Sequence, residues 1–87
     1  MDKIEKIANE LKKYTSEIYL FGSRARGDNL KNSDIDIAIN VNLSFREKRK
    51  LKDKIEKLAG IYSVDLVFLD EINNDLKRKI LKEGKKL

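Results

Sequence analysis

The chain has no cysteine, no histidine and no proline. Without cysteine there is no disulfide framework and no thiol nucleophile. Without histidine there is no triad built on an imidazole base, and without both there is no zinc finger. Any acid–base chemistry therefore rests on carboxylates. The missing proline, together with the lack of a repeat or low-complexity stretch, leaves no sign of a linker, so residues 1–87 read as one domain. A domain of 87 residues is near the small end of what folds alone, with little area for a second substrate-binding module. A large co-substrate would have to bring most of its own surface. No apolar run approaches the ~18 residues that suggest a membrane span, and Met1-Asp2-Lys3 opens an amphipathic pattern and not a signal peptide. The expectation is a cytoplasmic protein with no membrane attachment.

Charge is abundant. Lys and Arg number 20 against 15 Asp and Glu, a surplus of five that could steer nucleotides or nucleic acid toward the surface. The densest stretch, Arg46 to Lys57, is interleaved with Glu47, Asp53 and Glu56, as on a solvated helix face. No base-stacking aromatics are interleaved there, so a solvated face is favoured over direct nucleic-acid binding. Lys77, Arg78, Lys79, Lys82, Lys85 and Lys86 cluster near the C-terminus, where cations complement a helix dipole without any ligand. The aromatic residues Tyr14, Tyr19, Phe21, Phe45, Tyr62 and Phe68 are assigned to core and rim.

Periodicity gives alternating elements. Ile4, Ile7, Ala8 and Leu11 recur at helical spacing, predicting a helix over 2–14, followed by a short strand from Ile18 to Phe21 that Gly22 breaks. Ser23 to Arg26 suit a short helix ended by Gly27, and a polar loop then feeds a strand from Asp34 to Asn40. Ser44-Phe45-Arg46-Glu47 is a capping-box pattern opening a helix with Leu51, Ile55 and Leu58 inward, closed by Gly60. A strand from Val64 to Leu69 and a helix from Asn74 to Glu83, with Leu76 and Ile80 inward and Gly84 at its end, complete the chain. The predicted fold is α/β (α+β), a small mixed sheet flanked by helices in the order α-β-α-β-α-β-α. A helix joins the second and third strands, so they would be parallel if they pair directly, and Asp65 would lie near Asp36.

Certain residues carry chemistry. A strand ending in Gly22-Ser23 and turning into a helix offers backbone N–H groups and a hydroxyl to a phosphate. Asp34 and Asp36, two apart on a strand, share a face with small Ala38, while Ile35, Ile37 and Ile39 take the other. Such a carboxylate pair can hold hard divalent cations against the phosphate, with Asp65 as a third ligand. Each residue also has a plainer role. Gly22 could be only a turn, Ser23 only an N-cap, and Asp65 an edge-strand charge that discourages aggregation. Two aspartates on one strand face are harder to dismiss, because strands are depleted in Asp and like charges repel there unless a cation lies between them. Arg24 and Arg26 could pair with a triphosphate or lock the short helix through a salt bridge to Asp28 or an aspartate of the site.

Gly22-Ser23-Arg24-Ala25-Arg26-Gly27, followed after five residues by Ser33-Asp34-Ile35-Asp36, resembles the GSxARG…SDxD signature of the DNA polymerase β-like nucleotidyltransferase superfamily. The size and element order are similar to those of its minimal members across nearly the whole chain, with Val64-Asp65-Leu66-Val67 as the third-carboxylate strand. The resemblance implies that Asp34, Asp36 and Asp65 are catalytic and bind two Mg²⁺ ions, with Asp65 acting as or orienting the base. It also implies that Gly22 and Ser23 bind the phosphates of ATP, with Arg24 and Arg26 as further nucleotide ligands. Minimal members are commonly paired with a HEPN-domain ribonuclease toxin, so the resemblance implies an antitoxin that moves AMP from ATP to a tyrosine of that toxin. Two alternatives are an inactive antitoxin that masks its partner by binding, and nucleotidyl transfer to an RNA end.

Overall fold

A computed structural model describes residues 3–22, 35–60 and 63–87. The short helix expected at Ser23 to Arg26, and with it Ser23, Arg24, Arg26 and Asp34, lies outside the described residues. The element order is α1 (Lys3–Leu11), β1 (Ile18–Phe21), β2 (Ile35–Ile39), α2 (Phe45–Ala59), β3 (Val64–Phe68), α3 (Asn74–Glu83) and β4 (Lys85–Lys86). The strands form one mixed sheet in the order β3-β2-β1-β4. β1 is antiparallel to both β2 and β4, whereas β2 and β3 run parallel, as their helical crossover predicts.

The alternation of β2 sorts the molecule into two layers. Ile35, Ile37 and Ile39 point to one face and are essentially fully buried beneath α1 and α2, against Ile7 and Leu11 of the first helix and Leu51, Ile55 and Ala59 of the second. Ile18 and Leu20 of β1 and Leu66 and Phe68 of β3 complete this layer. The other face carries a smaller cluster, in which buried Ala38, Leu69 and Ile80 meet partly buried Tyr19, Phe21, Val67 and Ile72. Since Ile80 belongs to α3, this helix lies over the second face.

Local chemistry sets the helix ends. The Glu47 N–H donates to Ser44 Oγ at 3.3 Å and the Ser44 hydroxyl donates to Glu47 Oε1 at 3.0 Å, so the cap at α2 closes between the two side chains. Gly60 ends the helix with φ 65°. At α3 the Leu76 N–H donates to Asn73 Oδ1 at 2.8 Å.

Ion pairs bind the layers at their periphery. Lys54 bridges α2 to Glu10 of α1 at 2.7 Å, and Lys13 reaches the same carboxylate at 2.8 Å. The hydrogen bonds from Lys13 and then Lys54 hold the Glu10 carboxyl below the usual carboxylate range. Lys48 departs from the solvated face expected over Arg46 to Lys57. It is buried, sits 5.0 Å from the centre of the Phe68 ring, and pairs with Asp70 at 2.9 Å and Glu71 at 3.0 Å. The hydrogen bond to Asp70 leads the causes that raise its pKa.

Three further details depart from expectation. β4 is an added strand, made when the chain leaves α3 and pairs Lys85 with Leu20 and Lys86 with Tyr19. Phe45, assigned to core or rim, is 84% exposed at the start of α2, and Leu76, expected inward by helical spacing, is 40% exposed. Among the described residues, no helix is long and apolar enough to cross a membrane.

Candidate functional site

Register places the chemistry at one end of the sheet. Phe21 of β1 is opposite Asp36 of β2, and Asp36 is opposite Asp65 of β3, so the three residues form one row across adjacent strands. Strands in a sheet are about 4.8 Å apart, and residues in register on parallel strands share a face. The two carboxylates therefore stand side by side on the face opposite the isoleucine layer. β2 fixes Asp36 firmly, since its neighbours Ile35 and Ile37 are buried on the other side. The Ile35 N–H also donates to the Ser63 carbonyl at 2.8 Å, tying the start of β2 to the residue before β3. Asp36 itself is half-buried, whereas Asp65 is exposed on an outer strand of the sheet.

Gly22 closes the row on the β1 side. Its φ of 79° belongs to the left-handed region, which side chains with a Cβ rarely adopt. Space makes the requirement stricter: a Cβ built there would lie 3.3 Å from the Asp36 carboxyl carbon and closer still to Oδ2. The glycine thus lets the backbone turn directly against the carboxylate, so that a ligand on the turn would also meet Asp36.

Of the residues named from sequence, the structure brings Gly22, Asp36 and Asp65 together. Ser23, Arg24, Arg26 and Asp34 fall outside the described residues. Among the described residues, no three acidic groups converge to hold a metal ion; they contribute the pair Asp36 and Asp65. Two adjacent carboxylates on one sheet face offer the hard oxygen donors that suit Mg²⁺, a cation that usually binds through one or two carboxylates plus substrate phosphates and water. Sequence reasoning did not single out the α3 face nearest this row, where Leu76, Lys79 and Glu83 border Phe21 and Gly22. The signal lay in Leu76, Lys79 and Glu83 falling at i, i+3 and i+7 on one helix face.

Comparison with known proteins agrees with this fold. The family model described as Polymerase beta, Nucleotidyltransferase matches residues 3–87. MJ1379 of Methanocaldococcus jannaschii, whose name provisionally makes it a protein adenylyltransferase, is 34% identical over 93 residues that span 95% of this chain and 92% of the relative. A toxin–antitoxin crystal structure with AMP-PNP contains a chain that is 34% identical, with TM-score 0.71, covering 97% of this chain and 68% of its own. The structure of a tri-AMPylated Shewanella oneidensis HEPN toxin in complex with an MNT antitoxin gives 30% identity and TM-score 0.66 over 97% of this chain and 65% of the matched one.

Proposed function

This chain belongs to the polymerase β nucleotidyltransferase family, and from that premise we propose that it uses Mg²⁺ to move AMP from ATP onto a tyrosine of a HEPN-type toxin. The observation that carries the reading is the row of Asp36 and Asp65 with Gly22 packed against the Asp36 carboxylate. The name of MJ1379 and the AMPylated toxin in the Shewanella complex support transfer to protein. The AMP-PNP complex supports an adenine nucleotide as the donor.

In this account, Asp36 and Asp65, with Asp34, would hold Mg²⁺, which when bound would supply positive charge to offset that of the phosphates. The backbone after Gly22 and the Ser23 hydroxyl donate to the β- and γ-phosphates, and Arg24 and Arg26 pair with the same chain. Asp65 faces the acceptor and takes or orients its hydroxyl proton. The acceptor oxygen bonds to the α-phosphorus while the bond to the bridging oxygen breaks, releasing pyrophosphate. Holding both reactants in line is the larger service of such a site, since there is little covalent work for the protein to do.

The test is to incubate the protein with Mg²⁺, labelled ATP and a HEPN partner encoded beside it, then locate the label by mass spectrometry. AMP on a partner tyrosine is expected. A stable complex without label would instead favour an antitoxin that masks its partner. Label on RNA would favour transfer to an RNA end.

A further inference from the structure

The sheet has two edges, and they are finished differently. β4, at one edge, is two residues long and both are exposed lysines, a common protection of edge strands against pairing. β3, at the other, runs five residues with Asp65 as its sole charge, and among the described residues it pairs with β2 alone. The Ile35 N–H donates to the Ser63 carbonyl at 2.8 Å and the Leu69 N–H to the Ile39 carbonyl at 2.9 Å, so Ser63, Asp65, Val67 and Leu69 turn their backbone groups toward β2. The residues between them face outward. Val64 and Leu66 each offer an N–H and a C=O to the free edge, and Phe68 offers an N–H, its carbonyl accepting from the Glu71 N–H at 2.9 Å.

These groups and Asp65 together narrow what the edge takes. Donors and acceptors alternating along a strand match another extended backbone, a pattern that neither a phosphate nor a base repeats. An added strand also sets side-chain direction. Its residue opposite Asp65 projects on the face that carries Asp65 and Asp36, about 5 Å from Asp65 between Cβ atoms, while that residue's two neighbours project toward α2. There, Lys52, Ile55 and Glu56 with Val64 and Leu66 line a concavity of about 50 Å³, room for a small side chain. Direction of attack agrees. With the pyrophosphate held at the Gly22 turn on the β1 side of Asp36, in-line displacement brings the entering oxygen from the opposite side, where β3 lies.

We infer that β3 is a docking edge for an extended segment of the acceptor protein, which adds as a strand beyond β3 and places its tyrosine opposite Asp65. The tyrosine ring stands up from the sheet beside the two carboxylates. Its length selects the hydroxyl, because serine or threonine at that position would stop level with the aspartates, below a phosphate seated over them. Pairing demands little else of the segment's sequence, since backbone groups make the bonds. This assignment rests on the nucleotidyl-transfer reading above.

The test is residue-resolved hydrogen exchange on wild type, alone and with the HEPN partner encoded beside it, without ATP so that no transfer intervenes. The Val64, Leu66 and Phe68 amides should exchange about tenfold more slowly in the complex, whereas those of Asp65 and Val67, already bonded to β2, should be slow in both. A pair of variants reads the same edge. Val64 opens β3, a position where proline is tolerated, so Val64→Pro removes one outward N–H without touching the β2 ladder; Val64→Ala trims the same side chain and keeps the N–H. Val64→Pro should keep the melting shift given by Mg²⁺ and ATP and raise the KM for the partner about tenfold over Val64→Ala. Edge amides unchanged in a formed complex, or equal KM values in the two variants, would overturn the docking edge and leave AMP transfer standing. Edge amides that are slow in the free protein and quicken on dilution would overturn it in favour of a second copy of this chain. No AMP on any partner residue with wild type would overturn the nucleotidyl-transfer reading and this inference with it.

Discussion

The two faces of the sheet use the same strands for opposite purposes. On the face under α1 and α2, β2 contributes Ile35, Ile37 and Ile39, all essentially inaccessible to water. On the other, the same strand contributes Asp36 and Ala38, and β3 adds an exposed Asp65 beside Asp36. One face is filled to hold the fold; the other leaves one end open and charged. A one-residue slip of β2 would exchange them, so the isoleucines that stabilise the layer also aim the aspartate.

The first way to break this comparison is Ile37→Ala. Truncating a fully buried isoleucine should cost about 2–5 kcal/mol by denaturant unfolding. Its neighbour on the opposite face gives the contrast, because Asp36→Asn should leave unfolding near wild type. A second test straddles the faces. Gly22→Val forces a β-branched residue into φ 79° and drives its Cβ toward the Asp36 carboxylate, which should cost about 1–3 kcal/mol from the backbone alone and abolish AMP transfer. Ser23→Ala removes one hydroxyl and leaves the backbone donors, so its loss of transfer should be the smaller. The reverse ranking in a transfer assay would rule out a backbone cradle.

Much of this division was legible in the sequence, for a physical reason. The strand Ile35-Asp36-Ile37-Ala38-Ile39 alternates without exception, so period alone separates the faces, and the helix between β2 and β3 makes them parallel and brings Asp36 to Asp65. The Ser44 cap and Gly60 likewise fix α2 from local chemistry. What escaped the pattern depends on distant partners. Lys85-Lys86 has no strand propensity and becomes β4 only because β1 offers a free edge. Lys48 looks solvated until Asp70 and Glu71 arrive from the end of β3 to pair with it. Leu76 reads as core by helical spacing, but among the described residues it stays 40% exposed, on the wall it shares with Phe21 and Gly22.

The smallest effects concern the ion pairs, which lie away from the row. Lys48 has a raised pKa, so its contribution is complete below the ordinary lysine value of about 10.4 and is lost as pH rises through the raised one. Glu10 has a lowered pKa, so its contribution is present above the ordinary carboxylate range and is lost as pH falls through the lowered value. Melting curves against pH should therefore flatten on the alkaline side in Lys48→Met and on the acid side in Glu10→Gln. AMP transfer at neutral pH should change in neither. A loss of transfer in a fully folded Lys48→Met would show that the far end of β3 reaches the site.

The most direct test of the central claim, that the open face carries nucleotidyl transfer through Asp36, pairs a transfer assay with thermal melts of wild type and Asp36→Asn, with and without Mg²⁺ and ATP. Ligand that binds only the folded state must raise the wild-type melting temperature. The variant should melt near wild type without ligand, lose most of the ligand-induced rise, and transfer no AMP. A variant that is strongly destabilised without ligand, yet keeps the full ligand-induced rise and its transfer activity, would make Asp36 a structural residue and contradict the account.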